Sequence, residues 1–386
     1  MRKQALTYCS NVHPLQNLAV WKEKVRYFGS EVGSLLGKKP FPLGLWFNED
    51  VLKEIRTTGI AGLHKDLNSW GVNTFTLNAF PQSDFHQPVV KKKVYVPDWT
   101  DPTRLKYTQQ CAEVLAELLP ENGFGSISSL PLGWREGWTQ QHSEQASEAL
   151  IELAKFLNGL RERTGKTIVL ALEPEPGCVL ERTPQVLEFW NTVLRPTAAR
   201  AGVSDLADVY LGICYDTCHQ AVQFEEPEVA LEALHQAGIP IHKMQLSSAL
   251  EFPANTAKAL REQFVEPKFL HQTRIKTLQS VMDFDDLPQA LAADANLLQF
   301  TWRTHYHVPV HAESLLNSAV RTTRDDMLRA LRYALKHDLC GHFEVETYTW
   351  SVLPESHRPH SDVELAGCLA KELDFIRHEM PGVFNG

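Results

Sequence analysis

No apolar run in this chain approaches the length of a membrane span. The longest, such as LLG around Leu35 and TIVLAL at Thr167 to Leu172, are a handful of residues, against roughly 20 for a helix that crosses a bilayer. Membrane insertion is not expected. The opening MRKQALTYCSNVHP has a small basic start but lacks the apolar stretch of about 7 to 15 residues that a secretory signal needs, so the expected location is cytoplasmic. Excess positive charge is also missing. Lys plus Arg number 38 against 47 Asp plus Glu, a net charge of −9, which argues against a nucleic-acid partner because phosphate binding needs clustered cations. The seven cysteines are odd in number, scattered, and form no CxxC pair. A disulfide framework is therefore excluded, and buried reduced thiols are expected. Internal repeats and low-complexity segments are absent. With 43% hydrophobic and 22% charged residues, the 386-residue chain has the composition of an ordinary folded protein.

What is present is an alternation of β-rich apolar runs with helical patterns. The runs are ALTYCSN from Ala5, TFTLNAF from Thr74, SISSLPL from Ser126, TIVLALEPEPG from Thr167, YLGICYDTCH from Tyr210, HKMQLSSA from His242, RTHYHVPVH from Arg303 and GHFEVETYTW from Gly341. Between them lie helices such as the one carrying Ala146, Leu150, Leu153, Leu157 and Leu160, which should end near Gly165. Thr183-Pro184 and Ser361-x-x-Glu364 read as helix starts. Eight such units predict a single-domain (β/α)₈ barrel over residues 1–386. Insertions are expected near residues 12–73, 81–104 and 250–300. FPLGLWF, Phe41 to Phe47, is assigned to the first connection, and the Lys91-Lys92-Lys93 run to a solvated loop.

Catalytic groups in such barrels come from the carboxyl ends of the strands. The fourth run ends in Glu173-Pro174-Glu175, two acids on the same side of an extended segment. The fifth ends in Asp216 with His219 three residues on. In the sixth, Lys243, Gln245 and Ser247 share one side; in the seventh, His305 and His307 do. The eighth carries Glu344 and Glu346. Carboxylates gathered in one barrel mouth would force some to protonate unless a cation offsets them, so a divalent metal ion is expected. Carboxylates with an amide or imidazole suit Mn or Mg, with Zn the borderline alternative. Cys214 and Cys218 flank Asp216, and thiolate ligation is the minor reading.

The acid, DxxH, polar pair and acid at successive strand ends resemble the xylose-isomerase-like TIM barrels, the superfamily of sugar isomerases and epimerases that also holds endonuclease IV. TYCSNVHP, LNAFPQSDFH, VYVPDW, SSLPLGW, LEPEPG, YDTCHQA and EVETYTW together resemble the EboE-type metabolite traffic proteins. The resemblance implies metal ligands Glu173, Asp216, Gln245 and Glu346, with Glu344 competing for the last place. It implies catalytic roles for Glu173 and Glu346, proton transfer through an enediolate, and a sugar or small hydroxy-ketone as the metabolite. His219, Lys243, His305, His307, Asn78, Glu175, Glu344 and Trp134 are the candidate substrate contacts. A non-catalytic metabolite-binding protein on the same barrel is the alternative. An endonuclease IV-like phosphodiesterase sits poorly with the negative charge, and the oligomeric state is not indicated.

Overall fold

A computed structural model describes residues 3–384. Eight parallel strands make one sheet: β1 (Ala5–Tyr8), β2 (Leu45–Trp46), β3 (Thr76–Asn78), β4 (Phe124–Ser129), β5 (Thr167–Leu172), β6 (Leu211–Asp216), β7 (Ile241–Leu246) and β8 (His342–Val345). Around the sheet the order is β1, β8, β7, β6, β5, β4, β3, β2. A parallel bridge between Cys9 and Gly44 joins the two ends, with Gly44 N donating to Tyr8 O at 3.1 Å and Ser10 N to Gly44 O at 2.9 Å. The ring therefore closes and leaves no open edge.

Helices alternate with the strands as the periodicity predicts. The helix Gln140–Thr164 opens on a capping box from Thr139 and His142, buries Ala146, Leu150, Leu153, Leu157 and Leu160, and stops at Gly165, whose φ of 71° favours glycine. Ser361 caps the last helix, Asp362–Glu379, by accepting from Glu364 N. Six of the seven cysteines are buried and none is paired. Among the described residues, no helix is long and apolar enough to cross a membrane.

Two assignments made from the sequence are corrected. Residues 12–73 are not an insertion: they contain the helix Leu18–Leu35, strand β2 inside FPLGLWF, and the helices Glu49–Thr58 and Ile60–Trp70. A two-residue strand carries no usable period. The RTHYHVPVH run, by contrast, is not in the barrel. It forms the strand Thr301–Val308 of a second, six-stranded antiparallel sheet, which also contains Ser248–Phe252, Thr273–Lys276, Val281–Phe284, Ser314–Leu315 and Val320–Thr322. The inserted segment is thus longer than residues 250–300. It leaves the barrel after β7 and returns through the helix Arg324–Lys336 to β8.

This cap docks on the carboxyl ends of the strands through charge. Arg274, fully buried, meets Glu181 at 3.0 Å and Asp283 at 3.0 Å. Glu181 also accepts from Arg135 at 2.9 Å and from Gly177 N at 2.8 Å. A second tie is Glu372 in the last helix, which accepts from Val310 N at 3.0 Å and Thr347 Oγ1 at 2.6 Å. Burial outweighs these hydrogen bonds and pushes the Glu372 carboxyl from its ordinary 4.5 up to about 7. The folded state then holds this proton more tightly than the unfolded chain does. Stability from this group is complete below the unfolded value and is lost as pH rises through the folded one, a loss of about 3 kcal/mol. Glu372→Gln should remove that slope, which denaturant unfolding at several pH values between about 4.5 and 8 would measure. An unchanged slope in the variant would clear Glu372 as its source.

Candidate active site

The parallel register sets the acids in layers. Asp216 of β6 stands opposite Gln245 of β7, which stands opposite Glu344 of β8. Side chains two apart on a strand share a face, so Lys243 and Gln245 both point inward, as do Glu344 and Glu346. In the deeper layer Lys243 Nζ meets Glu344 at 2.7 Å, both fully buried, and donates to Ser128 Oγ at 3.1 Å. Burial opposes the ammonium charge, but Glu344, Cys214 and Cys9 outweigh it and raise the Lys243 pKa. A Cβ on Gly44 would lie 1.7 Å from Glu344 Oε1; glycine just before β2 makes the room this carboxylate occupies.

Toward the mouth, Glu173, Asp216 and Glu346 each bring a carboxylate oxygen within 4.8 Å of the others. Glu346 Oε1 accepts from Asn11 Nδ2 at 2.7 Å and Asn78 Nδ2 at 2.9 Å. Asp216 Oδ1 accepts from His219 N at 2.9 Å and Ser247 Oγ at 2.7 Å. Glu173 Oε2, Asp216 Oδ2 and both amide atoms of Gln245 are buried without a hydrogen-bond partner. At the 4.8 Å limit, two ionised carboxylates repel by about 3 to 4 kcal/mol at an effective dielectric constant near 20. Three such pairs would cost about 10 kcal/mol, comparable to the whole net stability of a domain at about 5–15 kcal/mol. Protonation is one relief: burial, then Glu346 and Asp216, raise Glu173 well above the usual carboxylate range, and burial, then Asp216 and Glu344, do the same to Glu346. A bound cation is the other, and the unpartnered oxygens of Glu173, Asp216 and Gln245 fit one.

The cap brings Gln272, His305 and His307 to the same mouth. His305 Nδ1 bonds Gln272 Oε1 at 2.7 Å, and Gln272 Nε2 donates to Glu175 Oε1 at 3.1 Å, Pro176 O at 2.8 Å and Tyr95 Oη at 2.8 Å. His307 Nδ1 bonds Glu346 O at 2.7 Å, and His219 Nδ1 bonds Pro174 O at 3.0 Å. Burial, then His219 and His307, hold the His305 imidazole well below its ordinary value; burial lowers His307 to about 4. Glu175 is raised by burial, against the lowering effect of His219 and its bonds to Tyr95 and Gln272.

These groups line a cavity of about 50 Å³, with Asn11, Asn78, Glu173, Glu175, His219, His305 and Glu346 polar, Phe80, Phe85, Tyr95, Phe269 and Tyr348 aromatic, and Lys91 at its side. That is room for a few waters, at about 10–15 Å³ each by the same measure. A larger cavity of about 870 Å³ opens among Lys39, Phe75, Phe124 and His342, at the amino ends of the strands. In such barrels that face serves stability, and the chemistry lies at the opposite, carboxyl-end face.

No family model matches the chain, and no curated protein matches it. Solved structures do. The Xylose isomerase domain protein from Planctomyces limnophilus matches with a TM-score of 0.52 and 15% identity over 100% of this chain and 99% of that one. A D-tagatose 3-epimerase-like protein matches at 0.50 and 13%, over 99% and 98%. The fold is that of the xylose-isomerase-like TIM barrels.

Within this TIM barrel Glu173 and Asp216 stand at the ends of β5 and β6, one place later than expected because β2 was missed, while Glu346 keeps its eighth place because the cap strand had been counted as the seventh. The structure brings Glu173, Asp216 and Glu346 together, lays Gln245 beside Asp216 in the register, and sets Asn78, Glu175, His219 and His305 on the cavity wall. His307 sits behind His305, at the same focus. Three expected substrate contacts are corrected. Lys243 and Glu344 neutralise each other below the cavity, because burying either charge alone is too costly. Trp134 packs behind Tyr95 with the rings tilted by 37° and their centroids 4.8 Å apart, and does not line the cavity. Sequence reasoning missed Asn11, Tyr95, Gln272 and Tyr348, all on loops or on the cap, where no periodicity flags them. Asn11 had one signal, its place just past a strand that proved to be β1.

Proposed function

We propose that this chain is an isomerase or epimerase that shifts a proton next to the carbonyl of a small hydroxy-ketone or sugar, assisted by a divalent cation. The observation that carries the reading is the pair Glu173 and Glu346, which face one cavity with raised pKa values and sit within ligand distance of Asp216. Glu173, Asp216, Gln245 and Glu346 would hold the cation, which when bound supplies Lewis-acid polarisation of neighbouring oxygens. The likeness to isomerase-type barrels supports the class of chemistry through fold alone.

The residues themselves divide the work. Asn11 and Asn78 fix Glu346 by donating to Oε1. Glu173 keeps Oε2 free of protein partners. In this reading one acid takes the proton from the substrate and the other returns it, the division of labour two-base proton transfer requires. His219 and His305 orient substrate oxygens from the cap side, and the aromatic wall keeps water out. The cavity volume of about 50 Å³ favours a substrate of few atoms. The resemblance to EboE-type traffic proteins concerns which metabolite is handled, and manganese is the first ion to try.

Incubation in D₂O with a panel of small aldoses, ketoses and hydroxy-ketones tests the reading by NMR. Deuterium should enter at the carbon beside the carbonyl of one of them and stop when the metal is chelated. A ligand that binds yet never exchanges would replace this reading with that of a non-catalytic metabolite-binding protein.

A further inference from the structure

The cavity at the amino ends of the strands, about 870 Å³ against about 50 Å³ at the mouth, falls in the range of roughly 300–1,000 Å³ of small-molecule pockets. The strand starts build it. β1, β4, β7 and β8 bring their first residues to its wall, joined by Asn73 to Phe75 ahead of β3, by Lys38, Lys39 and Pro40 ahead of β2, and by Phe384. Charge is distributed unevenly on that wall. In the whole chain acids outnumber bases by 47 to 38, yet the described residues that line this cavity include Lys3, Lys38, Lys39, His242 and His342 and no Asp or Glu. Asp338, the acid next to it, accepts from Gln4 Nε2 at 3.5 Å and does not line it.

Two further features give the wall a shape. Lys39 lays its stem over Gly71, where a Cβ would lie 2.6 Å from Lys39 Cε; a side chain at that position would lift the lysine away from the rim. Burial, then Arg377 and Lys3, hold the Lys38 ammonium below its ordinary pKa, so these cations act on one another, and an anion placed among them relieves that repulsion. Another part of the wall is aromatic. His342 lies beside Phe75 and Phe124, with ring centroids 4.7 and 5.3 Å away, and its Nδ1 is tied to Ser126 Oγ at 2.9 Å. Phe124 stays 45% exposed, so part of this aromatic surface is uncovered.

We infer that the amino-end cavity is a binding site for a small aromatic anion, an aryl carboxylate or aryl phosphate, with its charge among Lys3, Lys38 and Lys39 and its ring against Phe75, Phe124 and His342. Ammonium groups are compact point charges that accept either anion, and rings gain from offset or edge-on contact beyond the area they bury. The wall offers no carboxylate pair to move a proton, so the site binds and does not catalyse. Its occupation stabilises the fold, because a ligand held by the native chain and not by the unfolded one shifts the balance toward the native state. The inference uses no residue of the mouth and stands apart from the isomerase reading.

Equilibrium dialysis of the full chain against naphthoate, naphthyl phosphate, neutral naphthamide and inorganic phosphate tests it, with thermal unfolding as a second readout. One naphthoate or naphthyl phosphate per chain is expected, with a raised unfolding midpoint, and whichever binds tighter identifies the headgroup. Naphthamide lacks the charge and inorganic phosphate lacks the ring, so each should bind more weakly. Lys3→Glu with Lys39→Glu changes two exposed side chains, so the variant should fold, and its affinity for the aromatic anions should drop by about tenfold or more. Phe124→Ala should also weaken them. Glu173→Gln, at the other end of the barrel, should bind as the native chain does, whatever it does to proton exchange. Native protein that takes up neither aromatic anion, naphthamide held as tightly as naphthoate, or unchanged affinity in the folded double-lysine variant would overturn the proposal.

Discussion

Glu173→Gln should lower the rate of solvent deuterium exchange by about 10² to 10⁴-fold, the range a positioned acid or base contributes. The amide is nearly the same size, so the fold and the cavity should survive, but it can neither take the proton nor ligate as a carboxylate. Glu346→Gln should fall equally far, because its Oε1 is held by Asn11 and Asn78 in a geometry that only orients a working carboxylate. Glu344→Gln provides the contrast. Its partner Lys243 is fully buried with it, so this variant should lose stability through an unpaired buried charge while the exchange rate per folded molecule changes less. A stopped-flow or NMR rate for the three variants, alongside their unfolding midpoints, separates the two kinds of loss. Equal rates in Glu173→Gln and the native chain would remove that residue from the chemistry.

The second large effect is expected at the joint between cap and barrel. Glu181→Ala should cost about 3 kcal/mol, the low end for breaking a buried ion pair, since Arg274 keeps Asp283 at 3.0 Å while Gly177 N and Arg135 lose an acceptor. Glu181→Gln keeps an acceptor oxygen and should cost less. Because the pair joins the cap to the loop after β5, limited proteolysis should cut Glu181→Ala first within residues 253–300. Cleavage elsewhere, with unchanged denaturant midpoints, would show that this joint does not hold the cap.

How much of this was legible in the sequence depends on what leaves a period in it. The count of eight strands came out correctly for a partly wrong reason: β2, two residues long, was passed over, and the cap strand Thr301–Val308 took its place in the tally. Apolar alternation records that a segment is extended and half-buried; it does not record whether its neighbours run parallel or antiparallel. The acids were readable because each follows an apolar strand directly, so Glu173, Asp216 and Glu346 announced themselves by position. The pairing of Lys243 with Glu344 was not, since it depends on the stagger between β7 and β8. The sharing of one side by His305 and His307 was foreseen from the two-residue spacing, and their Nε2 atoms do meet, although on a different sheet. Gln272 and Tyr95 come from loops brought in by docking, which no local pattern encodes.

The stem of the cap has an architectural consequence. Where the excursion departs and returns, Ala249 and Thr323 are laced by two bonds, Thr323 N to Ala249 O at 3.0 Å and Ala249 N to Thr323 Oγ1 at 2.8 Å. Entry and exit thus share a single doorway, and whatever lies beyond it is interchangeable cargo as far as the cylinder's own closure is concerned. A lineage that swapped this one segment would keep its acids in place and receive a new ceiling over them, acquiring different selectivity in one genetic event.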